Sequence, residues 1–245
     1  MHIIVTESYD ASAAFVADMI AGLINETPNC KLGLATGGTP VPIYKKLIAK
    51  NAAGEVDFAR VRTVNLDEYC GLSGEHDQSY RYFMDTNLFN HVNIDKANTF
   101  VASGLGDPAA NAAELDAKVA EGGPCDLQLL GIGNNGHIAF NEAGDSLTAE
   151  SHIETLTPST IRANARFFEK EEDVPTTAIT MGMKGILSAK RLVLVATGAA
   201  KADAIHQLVC GGEVTTHNPS TFLKLHADAW VVIDRELAEA AGYNG

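Results

Sequence analysis

The sequence predicts an α/β protein: one αβα sandwich on a mostly parallel, doubly wound, Rossmann-like sheet. Three observations lead there. Short β-rich runs alternate with longer amphipathic or alanine-rich ones from end to end, an order that folds into right-handed βαβ units. Runs such as Leu192-Val-Leu-Val195 are apolar without alternation, as strands covered on both faces are. No low-complexity linker and no repeat of fixed period divides the 245 residues, and 46% hydrophobic content suffices for one large core. A single domain spanning 1–245 is therefore expected.

In chain order, strands are expected at 2–6, 31–35, 61–66, 99–102, 126–131, 177–180, 191–196 and 229–233, with helices at 8–25, 40–50, 79–89, 108–121 and 199–209. The first helix shows apolar residues near helical spacing, Phe15, Val16, Met19, Ile20 and Leu23, which form one stripe to bury. Thr39 and Pro40 suit the N-cap and first position of the second helix. The segment from Glu142 to Thr176 breaks the rhythm, with two prolines and little periodicity. Long irregular segments inside compact domains serve as lids or binding loops, so 143–176 is expected to be a lid.

Charge and cysteine usage exclude several classes. With 18 basic and 31 acidic residues the chain carries −13, a field that repels nucleic acid and leaves any phosphate to be held by local groups. Cysteines 30, 70, 125 and 210 have neither zinc spacing nor a compact disulfide framework, so reduced thiols are expected. A chain that opens on the strand-like Ile3-Ile-Val5, with no apolar run of membrane-spanning length, is expected to be cytoplasmic and without a membrane partner.

Ligands of open parallel sheets sit beyond the carboxyl ends of the strands, and three polar stretches fall there. Leu34-Ala-Thr-Gly-Gly-Thr-Pro40 turns on two glycines into a helix, the form of a phosphate cradle. It is not a Walker A loop, because Thr39 stands where the lysine belongs; a plain structural turn is the alternative. Val195-Ala-Thr-Gly198 repeats the device and brings Lys201 into a first helical turn. Asn65-Leu-Asp-Glu-Tyr69 ends a strand with Asp67 and Glu68. Adjacent strand residues face opposite ways, so one of the two should face a pocket. That carboxylate can act as a base toward carbon, whereas either can instead cap a helix or face water.

Gly131-Ile-Gly-Asn-Asn-Gly136 spells the dinucleotide fingerprint, yet the chain continues His-Ile-Ala-Phe-Asn-Glu142. It gives neither the clean helix nor the distant strand-end acid that a dinucleotide site requires. A tight turn presenting His137, with Glu142 returning to orient it, fits better. An imidazole and a carboxylate so placed serve either as an acid/base pair or as structural partners. No metal-ligand spacing occurs, so neither metal nor cofactor is expected.

These stretches, together with Arg162-Ala-Asn-Ala-Arg-Phe-Phe168 and Ser220-Thr-Phe-Leu-Lys-Leu-His226, resemble the glucosamine-6-phosphate deaminase family in the same order over nearly the entire chain. The resemblance implies a small-molecule sugar phosphate as partner and conversion of glucosamine 6-phosphate and water to fructose 6-phosphate and ammonia. It implies that His137, with Glu142 and Asn135, opens the sugar ring, and that Asp67 moves the C2 proton to C1. It further implies that Thr36, Gly37, Gly38, Thr39, Arg166 and Lys201 hold the phosphate.

Two departures stand out. Asn135 replaces an aspartate common among relatives, and His152 and Glu154 stand where an allosteric branch has basic residues. Weak or absent allosteric activation is expected, with monomer or homo-oligomer left open. The rival readings are a 6-phosphogluconolactonase, which has less need of a base such as Asp67, and a sugar-phosphate effector domain of a regulator, which would need a helix-turn-helix for which there is no room before the first strand.

Overall fold

Continuous apolar strands need cover on both faces, and the chain supplies it. The computed structural model describes residues 1–165 and 168–244. Its strands are β1 (His2–Thr6), β2 (Lys31–Leu34), β3 (Arg62–Asn65), β4 (Asp67–Tyr69), β5 (Thr99–Phe100), β6 (Leu127–Leu130), β7 (His152–Thr155), β8 (Thr177–Thr180), β9 (Leu192–Ala196) and β10 (Ala229–Asp234). Its helices are α1 (Tyr9–Glu26), α2 (Val41–Ala52), α3 (Tyr80–Asn87), α4 (Pro108–Ala120), α5 (Pro158–Asn164), α6 (Met183–Leu187), α7 (Ala202–Val209) and α8 (Arg235–Ala240).

Seven strands form one sheet in the order β1-β10-β9-β6-β2-β3-β5, every pair parallel. The chain moves outward from β2 through β3 to β5, then returns to lay β6 on the other side of β2. The loops after β2 and β6 therefore diverge, and such a reversal opens a crevice for a ligand.

Helix α1 starts where Ser8 accepts a hydrogen bond from the Ala11 N–H. Its fully covered face is Ser12, Ala13, Val16, Ala17, Ile20, Ala21 and Ile24. The larger Phe15, Met19 and Leu23 lie on the flank, partly buried against the core. The predicted stripe is thus rotated, because close approach to the sheet favours small side chains over the most hydrophobic ones.

Two expectations need correction. The segment at 177–180 is a strand, but β8 lies outside the main sheet and pairs antiparallel with β4 and β7. The stretch 143–176 is not simply irregular, since it contains β7 and α5. Asp67 pairs with Thr180, and so does His152 from the opposite side, which ties the expected lid by a ladder to the strand carrying Asp67. Among the described residues no helix is long and apolar enough to cross a membrane.

Candidate active site

The loops at the strand reversal enclose a cavity of about 340 Å3, within the range of small-molecule sites. After β2 it is lined by Thr36, Gly37, Gly38 and Thr39; after β3 by Asp67; after β6 by Gly133, Asn135 and His137; after β9 by Lys201. Glu142 stands behind His137. Arg166 lies outside the described residues.

The glycines of 131–136 seat the imidazole. A Cβ on Gly133 would come within 2.4 Å of His137 Cε1 and 2.5 Å of both ring nitrogens, so the ring rests on that α-carbon. Gly136 has φ +84°, which favours glycine, and a Cβ there would meet Asn218 Oδ1 at 2.1 Å. The Ser220 N–H donates to Gly136 O at 2.9 Å, and the Ser220 hydroxyl to Asn218 Oδ1 at 2.6 Å. The 218–220 segment thereby buttresses the turn from below. Ala139 lines the cavity at φ 51°, an unfavourable conformation that the surrounding packing imposes.

His137 Nδ1 is 3.3 Å from Glu142 Oε2, which also accepts from Asn135 Nδ2 at 2.7 Å. Asn135 Oδ1 accepts from the His137 N–H at 3.2 Å. The Thr160 hydroxyl of α5 donates to Glu142 Oε1 at 2.5 Å. Burial pushes the Glu142 carboxyl up, but the hydrogen bond and charge of His137, with Thr160 and Asn135, outweigh it and bring it to about 2. Glu142 is thus a permanent anion against the imidazole.

Asp67 and Glu68 divide as the strand period requires. Asp67 lines the cavity, while Glu68 caps α3, accepting from the N–H groups of Tyr69 and Tyr80 at 2.9 Å and Arg81 at 3.0 Å. Burial, reinforced by the charge of Glu68, pushes the Asp67 carboxyl to about 8. Burial also raises Glu68, to about 7, against the three N–H donors. The β4–β8 ladder joins Asp67 to the histidine loop: Thr180 Oγ1 accepts from the Phe140 N–H at 3.0 Å, and Met181 O from Asn141 Nδ2 at 2.9 Å.

Thr39 does not cap α2 as expected. The helix opens after Pro40 with no side-chain cap; its Val41 N–H donates to Gly38 O at 3.3 Å and Pro42 has none, so the anion-facing groups at the cavity are those of the turn at 36–39. The opposite wall is aromatic: Tyr69, Tyr80, Phe140 and Phe168 form a cluster of rings 4.8 to 6.1 Å apart. Asn164 Nδ2 of α5 donates to the Tyr69 hydroxyl at 2.8 Å.

Sequence reasoning missed this wall and Thr160. Tyr69, Phe140 and Phe168 lie inside the motifs, but aromatic residues there read equally well as core. Thr157-Pro-Ser-Thr160 carried a helix-start signal, with Thr157 accepting from the Thr160 N–H at 3.2 Å. His152 Nε2 lies 3.1 Å from Glu154 Oε2.

Residues 5–232 match the family model described as glucosamine-6-phosphate isomerases/6-phosphogluconolactonase. A Clostridium beijerinckii protein named glucosamine-6-phosphate deaminase is 52% identical over 241 residues, covering 98% of this chain and 99% of its own. A Clostridium perfringens protein of the same name is 50% identical over 243 residues, again 98% and 99%. The solved structure of a monomeric glucosamine-6-phosphate deaminase superposes with a TM-score of 0.95 at 39% identity, covering 98% of this chain and all of that one. A 6-phosphogluconolactonase from Trypanosoma cruzi shares the fold alone, with TM-score 0.76 at 18% identity. Motif order, cavity and relatives converge, and the chain belongs to the glucosamine-6-phosphate isomerase/6-phosphogluconolactonase family, alongside its deaminases.

Proposed function

We propose that this protein converts glucosamine 6-phosphate and water to fructose 6-phosphate and ammonia. The observation that carries the reading is a buried aspartate, Asp67, lining one cavity with His137, which Glu142 orients, and with the glycine turn at 36–39. Lactone hydrolysis has less use for such an aspartate; abstraction of a proton from carbon requires it.

The phosphate docks on the Thr36-Gly-Gly-Thr39 turn, with Lys201 and Arg166 supplying positive charge. Binding energy from this non-reacting group fixes C1 and C2 against the catalytic side chains. His137 takes the proton from the C1 hydroxyl and delivers one to the ring oxygen, which opens the pyranose. Glu142 holds the imidazole in orientation and stabilises its cationic form, while Asn135, lacking a carboxylate, contributes hydrogen bonds only.

Asp67 then removes the proton from C2, giving an enolamine, and returns it at C1. Water adds to the resulting C2 imine and ammonia leaves, so atoms balance. A base near 8 is a stronger acceptor from carbon than an ordinary carboxylate. The positive charge of the substrate's ammonium favours its ionised form on binding. Segment 143–176 serves as the lid, sealing through Thr160 on Glu142 and Asn164 on Tyr69. Activation by an N-acetylated sugar phosphate is weak or absent, given the His152–Glu154 pair.

The test is ammonia release from glucosamine 6-phosphate beside its N-acetylated and unphosphorylated analogues. Turnover of the phosphorylated amino sugar is expected; activity confined to 6-phosphogluconolactone would overturn the reading.

A further inference from the structure

A trans peptide is planar, so its carbonyl and the following N–H point in opposite directions. In the turn at 35–39, Gly37 has φ +89° and Gly38 has no side chain, so the peptides around them can swing at little cost. One orientation offers N–H groups to an anion; the other offers carbonyl oxygens that repel it. Two tyrosines outside the turn select between them. The hydroxyl of Tyr44, a fully buried residue of α2, donates to Ala35 O at 2.6 Å. The hydroxyl of Tyr9, the first residue of α1, shares its hydrogen between Gly38 O at 3.0 Å and Thr39 O at 2.9 Å, and so adds to the longer 3.3 Å bond that Gly38 O accepts from the Val41 N–H. Neither tyrosine lines the cavity, whereas Thr36 and Thr39 both do.

Fixing Ala35 O turns the Thr36 N–H to the far side of the same peptide plane. Fixing Gly38 O does the same for the Thr39 N–H. We infer that Tyr9 and Tyr44 are positioning residues for the phosphate: they hold the carbonyls of the glycine turn away from the cavity and so commit the N–H groups of Thr36 and Thr39 to the anion. The two phenols act from different helices on opposite ends of one turn. The turn is thereby preorganised before ligand arrives, which spares the ordering cost on binding. The inference rests on the phosphate reading of this turn, but its binding test with inorganic phosphate does not depend on turnover.

Tyr9→Phe and Tyr44→Phe each remove one hydroxyl and keep the ring. Isothermal titration with inorganic phosphate on the intact protein should show a dissociation constant raised about 3- to 10-fold in each variant, the worth of one hydrogen bond. KM for glucosamine 6-phosphate should rise by the same factor, while kcat stays within about twofold and kcat/KM for unphosphorylated glucosamine is unchanged. A lesion of structure alone would depress kcat for both substrates alike, and that pattern overturns the inference. Unchanged phosphate affinity in Tyr9→Phe, whose half-buried position makes misfolding no excuse, also overturns it. A wild-type protein that turns over the sugar phosphate but does not bind inorganic phosphate refutes the turn's role and leaves the activity standing. Phosphate affinity lost in the variants without any deaminase activity supports the inference and removes the proposed reaction.

Discussion

Replacing Asp67 by asparagine should stabilise the protein while destroying its turnover. In the folded chain the Asp67 carboxyl keeps its proton up to about pH 8, against an ordinary 3.8. Burial, then the neighbouring Glu68, causes the difference. A group whose pKa is raised by folding contributes its full stability below the unfolded value, and that stability drains away as pH rises to the folded one. Between about pH 5.5 and 8 the drain spans roughly 2.5 units, or about 3 kcal/mol at 1.36 kcal/mol per unit. The substituted amide keeps the shape and has no proton to lose. Thermal melts of both proteins in phosphate-free buffer should therefore diverge with rising pH, by roughly 6 to 12 °C between about pH 5.5 and 9 for a chain of this size, and run parallel above that. Turnover of the variant should fall by at least about 10²- to 10⁴-fold, with phosphate affinity retained. Parallel melting curves across the whole range would refute the buried-base argument, and so would wild-type turnover.

Gly133→Ala places a methyl 2.4 Å from the His137 ring, so the imidazole must move; kcat should drop about 10²-fold while titration still finds phosphate bound, and a normal kcat would show that the ring's seat is unimportant. His137→Gln should harm the ring-closed substrate far more than an open-chain analogue, and equal losses in steady-state kinetics would count against a ring-opening role. Thr160→Val removes a donor from Glu142. Since a carboxyl at about 2 stabilises above its ordinary 4.5 and loses that contribution as pH falls toward 2, the variant should be about 1 to 2 kcal/mol less stable near neutral pH and unfold at a higher pH on acidification; superimposable acid titrations would contradict the bond.

The central sheet was legible because β9, Leu192-Val-Leu-Val-Ala196, is an uninterrupted apolar run buried throughout, and the shorter strands alternate with helical segments in the order a parallel sheet requires. The side sheet was not. Asp67–Tyr69 reads as an acidic strand end and becomes β4 only through pairing with β8; His152–Thr155 alternates, but over four residues alone. Helix α8 follows β10 with Asp234 as its cap and no loop between, so no turn residue marked its start. Helix α6 opens at Gly182 without a side-chain cap. In the site, the split of Asp67 and Glu68 followed from strand periodicity, and His137 with Glu142 from a glycine turn that continues into neither the helix nor the strand-end acid of a dinucleotide site. The contacts of Thr160, Asn164, Tyr9 and Tyr44 join residues that only tertiary packing brings together, which local sequence does not encode.

The proposed reaction stands or falls on Asp67 carrying one hydrogen from C2 to C1. Glucosamine 6-phosphate deuterated at C2 tests that transfer, with the product examined by NMR. Ammonia and fructose 6-phosphate should form in equal amounts, with a primary isotope effect and deuterium recovered at C1, and none of these should be seen with Asp67→Asn. A product that keeps its deuterium on C2, as direct displacement of the amine would leave it, would contradict the transfer.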